Sequence, residues 1–305
     1  MAQSLLTHII NMNDYITDKN EYIIAKDQNN NDVTNKTVQD IVFKIILEID
    51  RICRKHNIDY ALSFGSALGL YKYGDFIPWD DDADIIIDYF DYQRFVEVCK
   101  AELCEDMIID TYLTNERYNP LIPAIKIRDK HTIIKEFNRF TLPDHIEERG
   151  IFVDVCLFMG VPKDRDQHKK LIWYSKLKLI PYVIGDALFH LKMTKMRNKL
   201  LTFEKNVAEK YKNSPYVSQS VIIPFQEHPL RMVHALAFPR EIIYPFKEYN
   251  FRGHKLFSFN DIDAFSLMRY GPKAMKEYDK NGQLIENYPH SKKKGGHLKR
   301  IIFKD

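Results

Sequence analysis

Two runs decide the fold: Ile58-Asp59-Tyr60-Ala61-Leu62-Ser63-Phe64-Gly65-Ser66-Ala67-Leu68-Gly69, then Phe76-Ile77-Pro78-Trp79-Asp80-Asp81-Asp82-Ala83-Asp84-Ile85-Ile86-Ile87-Asp88. Tyr60 to Phe64 reads as a short buried strand, and the small residues Gly65 to Gly69 after it form a turn that sets backbone amides at a helix start. The second half of the acidic run, ending Ile85-Ile86-Ile87-Asp88, is a further strand.

Working outward, Val38, Ile41, Val42, Ile45, Ile46, Ile49 and Ile52 recur at helical spacing. They predict an amphipathic helix from Thr37, its N-cap, to about His56, ended by Asn57. On the other side Asp91 is placed to cap a helix carrying Phe95, Val96, Val98, Cys99 and Leu103. Strands are expected at Met107 to Tyr112, Leu121 to Ile127, Thr132 to Phe137 and Ile151 to Phe158, so this half is α/β in character. From Asp164 through Lys212 the pattern is mostly helical, then irregular from Pro215 to Pro245, with a last helix around Asp261 to Tyr270. Residues 1–36 read as an appendage with two short strands, near Tyr15 to Ile16 and Tyr22 to Ala25, before the Asn-rich loop Asp27 to Lys36. No internal repeat is visible.

The acidic run carries the chemistry. Side chains alternate along a strand, so Asp80, Asp82 and Asp84 are expected on one side, with Asp81, Ala83, Ile85 and Ile87 on the other. Like charges at that spacing repel, and a divalent cation between them keeps them ionised. An all-oxygen set suits magnesium or manganese. The alternative is a solvated acidic turn, but the apolar flanks Phe76-Ile77-Pro78-Trp79 and Ile85-Ile86-Ile87 favour the metal. Asp154 is the only charge in Ile151 to Met159. A carboxylate in such a strand must be paired or metal-bound: it either pairs structurally with Lys126 or Arg128, or joins the site as a ligand or as the base for an incoming hydroxyl. Lys126 and Arg128 alternate on their strand and share a face, as phosphate anchors or as exposed edge charges. Trp79, Tyr71 and Tyr73 flank the site as packing or as an aromatic wall for a quaternary ammonium or a base.

These two runs, the preceding helix end Asp50-Arg51-Ile52-Cys53 and the later Gly150-Ile151-Phe152-Val153-Asp154-Val155 together resemble the signature of the LicD family, which includes the fukutin-related proteins. The likeness covers about residues 37–160 well and the C-terminal half loosely, through Arg269-Tyr270-Gly271. It implies a nucleotidyltransferase-like mixed α/β (α+β) sheet flanked by helices, with a mostly helical C-terminal part. With the pattern read above, this divides the chain into a nucleotidyltransferase-like core at 37–160, a helical and irregular acceptor-side region at 161–290 and a basic tail at 291–305. Carried over by position, Gly65 and Ser66 hold donor phosphates, Lys72 and Trp79 lie against the donor, Asp82 and Asp84 bind the metal with Asp80 as a further candidate, and Asp154 is the third carboxylate. The implied reaction moves phosphocholine or a related phospho-alcohol from a CDP-linked donor to a sugar hydroxyl of a cell-surface glycan or glycolipid (lipopolysaccharide, teichoic acid or capsule), with Mg²⁺ or Mn²⁺. The chain departs from the family pattern at Ser66 for Thr, Ala67 for Leu, Lys72-Tyr73 for Arg-His and Gly74-Asp75 for Lys-Gly, all near the donor.

Composition narrows the alternatives. The chain has 305 residues, 45% of them hydrophobic, enough for a sizeable core. With 45 basic and 42 acidic residues the net charge is +3, which argues against a nucleic-acid partner bound through bulk charge. No run is long and apolar enough for a membrane helix and the N-terminus lacks a signal-peptide pattern, so a soluble cytoplasmic protein is expected, with the inner membrane face as its further candidate site. Cys53, Cys99, Cys104 and Cys156 form no C-x-x-C pair and are expected as buried free thiols. Competing readings are a nucleotidyltransferase that moves a nucleoside monophosphate and releases pyrophosphate, and a non-catalytic metal-binding module. The tail Ser291 to Arg300 is expected to be solvated, or to contact anionic lipid headgroups peripherally or an anionic acceptor glycan, and Pro224 to Phe251 is the candidate for acceptor contacts.

Overall fold

A computed structural model describes residues 23–78, 80–111, 113–114, 125–136, 150–189, 194–221, 236–272 and 298–304. The organising element is helix α1 (Asn35–His56), which buries Val38, Val42, Ile45, Ile46, Ile49 and Ile52 to within 1% exposure. The expected periodicity is borne out, but the helix starts earlier: Thr34, not Thr37, is the N-cap, and its hydroxyl accepts the Thr37 N–H. Asn57 ends the helix in the left-handed region at φ 50°, a conformation Asn tolerates.

The elements of the main sheet follow. Strand β3 (Tyr60–Ser63) runs directly into α2 (Phe64–Tyr73), which is followed by β4 (Asp84–Asp88), β5 (Met107–Asp110), β6 (Ile125–Asp129) and β8 (Phe152–Gly160). Strand β8 is the hub of the sheet. It pairs in parallel with β4 along one edge, and along the other antiparallel with β6 and then with β9 (Tyr216–Gln219). β4 pairs antiparallel with β3, and β5 with β6. The result is a mixed sheet flanked by helices, as expected. Its centre is apolar on consecutive residues (Ile85, Ile86, Ile87; Val155, Cys156, Leu157), as a strand covered on both faces requires.

Between β4 and β5, α3 (Tyr92–Glu102) follows a 3-10 turn at Tyr89–Asp91. Asp88 caps that turn by accepting the Phe90 N–H at 2.9 Å, whereas Asp91, the expected cap, makes no capping bond. Helices α4 (Arg165–Phe189) and α5 (Thr194–Lys210) form the expected helical region, and α7 (Ile262–Tyr270) is capped by Asp261 after the short α6 (Arg240–Ile243).

Three features depart from the sequence expectations. Within the region read as irregular lie β9 and the two-residue β10 (Phe238–Pro239), paired antiparallel. A hairpin of β11 (Lys247–Phe251) and β12 (His254–Ser258) turns through Arg252 (φ 51°) and Gly253 (φ 81°), both of positive φ as a tight hairpin turn demands. It docks on β3, where the Ser258 hydroxyl donates to Leu62 O at 2.9 Å. Finally, β1 (Ile23–Lys26), β2 (Asp32–Thr34), β7 (Thr132–Glu136) and β13 (Leu298–Phe303) make a second sheet in the order β2-β1-β13-β7. The end of the expected solvated tail is therefore a strand, with Ile301 fully buried, while Ser291 to His297 and the strand expected near Tyr15 to Ile16 lie outside the described residues. Cys53, Cys99 and Cys156 are buried free thiols, but Cys104 is exposed because it sits just beyond α3.

Candidate active site

The sheet register sets five polar residues in one row. Ser63 on β3 faces Asp84 on β4, Asp84 faces Asp154 on β8, Asp154 faces Lys126 on β6, and Lys126 faces Asp110 on β5. Residues paired across adjacent strands share a face. The two strand aspartates expected to converge are thus immediate neighbours, on parallel strands, beside a buried lysine.

Lys126 Nζ lies 2.8 Å from Asp154 Oδ1 and 3.0 Å from the centroid of the Phe152 ring. The lysine is 3% exposed in its side chain. The alternative of a structural partner for Asp154 is therefore realised, in the same place where the functional reading needs the carboxylate. Arg128 has a different duty. Its Nε donates to Asp110 Oδ2 at 2.9 Å and another nitrogen to Gly150 O at 3.2 Å, with the side chain 2% exposed. Lys126 and Arg128 do share a face, both over Phe152, but they are buried and neither is an exposed edge charge.

Ahead of β4, residues 80–83 are not a strand, so the alternation expected for Asp80 to Asp84 begins only at Asp84. The acidic ligands therefore group differently. Carboxylate oxygens of Asp80, Asp81 and Asp82 all lie within 4.8 Å of one another, with Asp80 and Asp81 buried and Asp82 half-buried. Asp81, expected on the opposite side, belongs to the cluster, since residues 80–83 are not a strand and the alternation does not hold there. At an effective dielectric of about 20, two full charges at such a distance repel by about 3 kcal/mol, and three hard oxygens converging are a donor set that fits Mg²⁺ or Mn²⁺.

Two side chains of α1 hold this loop by its backbone. Asn35 Nδ2 of α1 donates to Pro78 O at 3.0 Å, and Gln39 Nε2, one turn on, donates to Ile77 O at 3.0 Å and to Asp80 O at 2.8 Å. Asp80 N–H bonds Ile77 O at 3.0 Å, and Asp154 N–H bonds Ala83 O at 2.9 Å, which ties the loop's end to β8. Gly69 makes the fit from α2: a Cβ there would stand 2.6 Å from Asp75 O and 2.8 Å from Ile77 N, both backbone atoms. Arg252, at the hairpin turn, pairs with Asp40 at 2.9 Å and Asp75 at 3.2 Å and lies over the Phe76 ring. Burial raises the Asp75 carboxyl above its usual range, and the Phe76 N–H and Arg252 oppose that rise.

On the donor side, Gly65 and Ser66 lie in the first turn of α2, and both are buried. Phe64 makes the strand-to-helix turn at φ 44°, a backbone conformation that costs a non-glycine residue on the order of 1 kcal/mol. That turn brings the Ser66 hydroxyl to accept the Asp84 N–H at 3.0 Å, which fixes the small-residue turn against the start of β4. Lys72 is buried in the last turn of the same helix, Tyr73 is half-buried and Tyr71 exposed. Trp79 lies outside the described residues.

Comparison with known families finds a match over the same part of the chain. Residues 57–177 match the family model described as LicD/FKTN/FKRP, nucleotidyltransferase domain. The chain is LicD-like across this domain. Among curated proteins it is similar to the lipopolysaccharide cholinephosphotransferase LicD of Haemophilus influenzae, with 26% identity over 193 residues, 56% of this chain and 68% of that protein. The LicD-like span contains the polar row and the acidic loop, but three supports of the loop come from outside it: Asn35, Gln39 and Arg252. Reading the sequence missed these three, as it missed Asp110, the partner of Arg128. For Arg252 a signal existed in the Arg-Gly pair between two alternating runs. Asn35 and Gln39 carried none, since a polar residue on a helix is ordinarily solvated.

Proposed function

We propose that this protein transfers phosphocholine, or a related phospho-alcohol, from a CDP-linked donor to a sugar hydroxyl of a cell-surface glycan or glycolipid, with a divalent cation held by the acidic loop. The convergence of Asp80, Asp81 and Asp82 beside the paired Asp84 and Asp154 carries the reading, and the likeness to a lipopolysaccharide cholinephosphotransferase supports the choice of donor and acceptor.

In the reaction the sugar oxygen attacks the phosphorus bearing the alcohol, the bond from that phosphorus to the CMP oxygen breaks, and the hydroxyl proton leaves to a base. A bound Mg²⁺ or Mn²⁺ would neutralise charge on the diphosphate as CMP departs. The Asp80 to Asp82 carboxylates, with Asp84, would hold it. Asp154, whose Oδ1 lies 2.8 Å from Lys126 Nζ, accepts the hydroxyl proton or completes the oxygen set. The first-turn amides of α2 at Gly65 and Ser66 point partial positive charge at a diphosphate, and the ammonium of Lys72 closes the same helix. Lys126 adds positive charge to the row, whereas Arg128 acts one step back by locking Asp110 and Gly150.

The test is direct: incubate the purified protein with Mg²⁺, a panel of CDP-alcohols and a glycan acceptor, and detect the nucleotide released. CMP, formed with one CDP-alcohol above the others and lost in Asp82→Asn and Asp84→Asn, is the expected result. Release of pyrophosphate from a nucleoside triphosphate, with no CMP from any CDP-alcohol, would instead assign nucleotidyl transfer.

A further inference from the structure

Away from the site, the α4–α5 helices present an exposed apolar face in a basic setting. Between Lys163 and Lys212 the chain carries thirteen Lys and Arg against five Asp and Glu, a net +8, although the whole protein is only +3. The positive charge is thus concentrated in this region and the remainder is net negative. Within it Trp173, Tyr174 and Leu177 are 41%, 50% and 60% exposed. These three large apolar side chains fall within five residues of one helix, so they lie on adjoining stripes of its surface. Beside them a shallow groove is lined by Tyr174 and Lys178 of α4 and by Lys195, Asn198, Lys199 and Phe203 of α5. Phe203 meets the Tyr174 ring edge-on at 5.0 Å and Lys178 stands 4.7 Å over that ring, so the tyrosine is braced while its surface stays open.

We propose that this face docks on an anionic lipid bilayer. Trp and Tyr are amphipathic rings suited to the headgroup level, a leucine beside them reaches the acyl boundary, and flanking lysines extend to anionic headgroups. Charge complementarity selects the occupant: a second copy of this chain would bring +8 against +8, whereas a bilayer rich in anionic lipid offers the opposite sign. No helix among the described residues is long and apolar enough to cross a membrane, so the contact is peripheral. It is distinct from the contact expected of the C-terminal tail and does not rest on the reading of the acidic site.

The experiment is co-sedimentation of the full chain with vesicles of phosphatidylglycerol and phosphatidylethanolamine, against vesicles of phosphatidylcholine alone. Trp173 is one of only two tryptophans, so fluorescence reports on the face itself. Expected are pelleting with the anionic vesicles only, release at high salt, and a blue shift in emission that Trp173→Phe removes. Lys195→Gln and Lys199→Gln should each weaken binding by roughly fivefold, and Trp173→Ala with Leu177→Ala should abolish it, all with unchanged melting. No pelleting on anionic vesicles would overturn the proposal. So would pelleting that ignores all four substitutions, or a dimer in sedimentation velocity that the substitutions dissolve while vesicles go unbound.

Discussion

Gln39→Leu removes one side chain from α1 and, through it, two hydrogen bonds to the acidic loop. Ile77 O keeps the Asp80 N–H bond at 3.0 Å, so losing the glutamine there costs about 1 kcal/mol, the net value of an ordinary hydrogen bond. Asp80 O, held at 2.8 Å, loses a partner in a buried place, which costs about 1–3 kcal/mol. Leucine nearly fills the same volume, so a cavity adds little. The sum is about 2–4 kcal/mol, which for a chain of this size lowers the melting temperature by roughly 4–8 °C. Because Gln39 fixes the backbone that carries Asp80, Mn²⁺ affinity should also fall, by about tenfold, as when an outer support of a metal ligand is removed. The assay is calorimetric Mn²⁺ titration paired with thermal unfolding, with Gln167→Leu on the exposed start of α4 as control. Unchanged Mn²⁺ affinity in a variant that has lost the expected stability would refute the reasoning, since Gln39 would then be ordinary packing.

Other outcomes follow from the same contacts. Arg128→Met leaves Asp110 buried without its guanidinium partner and should destabilise the fold by about 3–5 kcal/mol in urea unfolding, whereas a loss confined to donor KM would mark Arg128 as a donor contact. Gly69→Ala drives a Cβ to 2.6 Å from Asp75 O and should cost about 1–3 kcal/mol, with reduced CMP release at saturating donor. Burial of Glu204, against which the Ser220 hydroxyl bond works, pushes its carboxyl up to about 7. The folded state then holds a proton that the unfolded state releases near pH 4.5, so this group's contribution to stability is lost as pH rises from about 4.5 to 7 and amounts to about 3 kcal/mol. Glu204→Gln should therefore gain on the wild type in denaturant unfolding across that range, and a parallel pair of pH profiles would contradict it. Burial lowers His168 to about 4, and its two ring nitrogens have no hydrogen-bond partner among the described residues. Wild-type stability should fall relative to His168→Leu as pH drops from about 6.5 to 4, read in the same assay.

Much of this architecture was legible because it rests on periodicity. The isoleucine stripe of α1 and the apolar strands β4 and β8 must be buried in any compact arrangement, and Asp154 stood out as a lone charge in an apolar run. What escaped was whatever depended on partners far along the chain. Alternation holds only within a strand, and the strand begins at Asp84 rather than Asp80; the backbone of residues 77–80 is instead held on α1 by Asn35 and Gln39, and Asp81 lies with Asp80 and Asp82. Arg128 looked like an anchor for phosphate because its strand register was readable while its partner, Asp110 on β5, was not. The strand Leu298–Phe303 was hidden by the basic residues before it, and it forms only because β1 and β7 offer it two edges.

The measurement that bears most directly on the account is a Mn²⁺ titration followed by electron paramagnetic resonance, in the wild type and in Asp81→Asn and Asp82→Asn, with circular dichroism to confirm the fold. The account predicts bound Mn²⁺ in the wild type and at least tenfold weaker binding in both variants, Asp81 included. Equal Mn²⁺ uptake by all three proteins would contradict it.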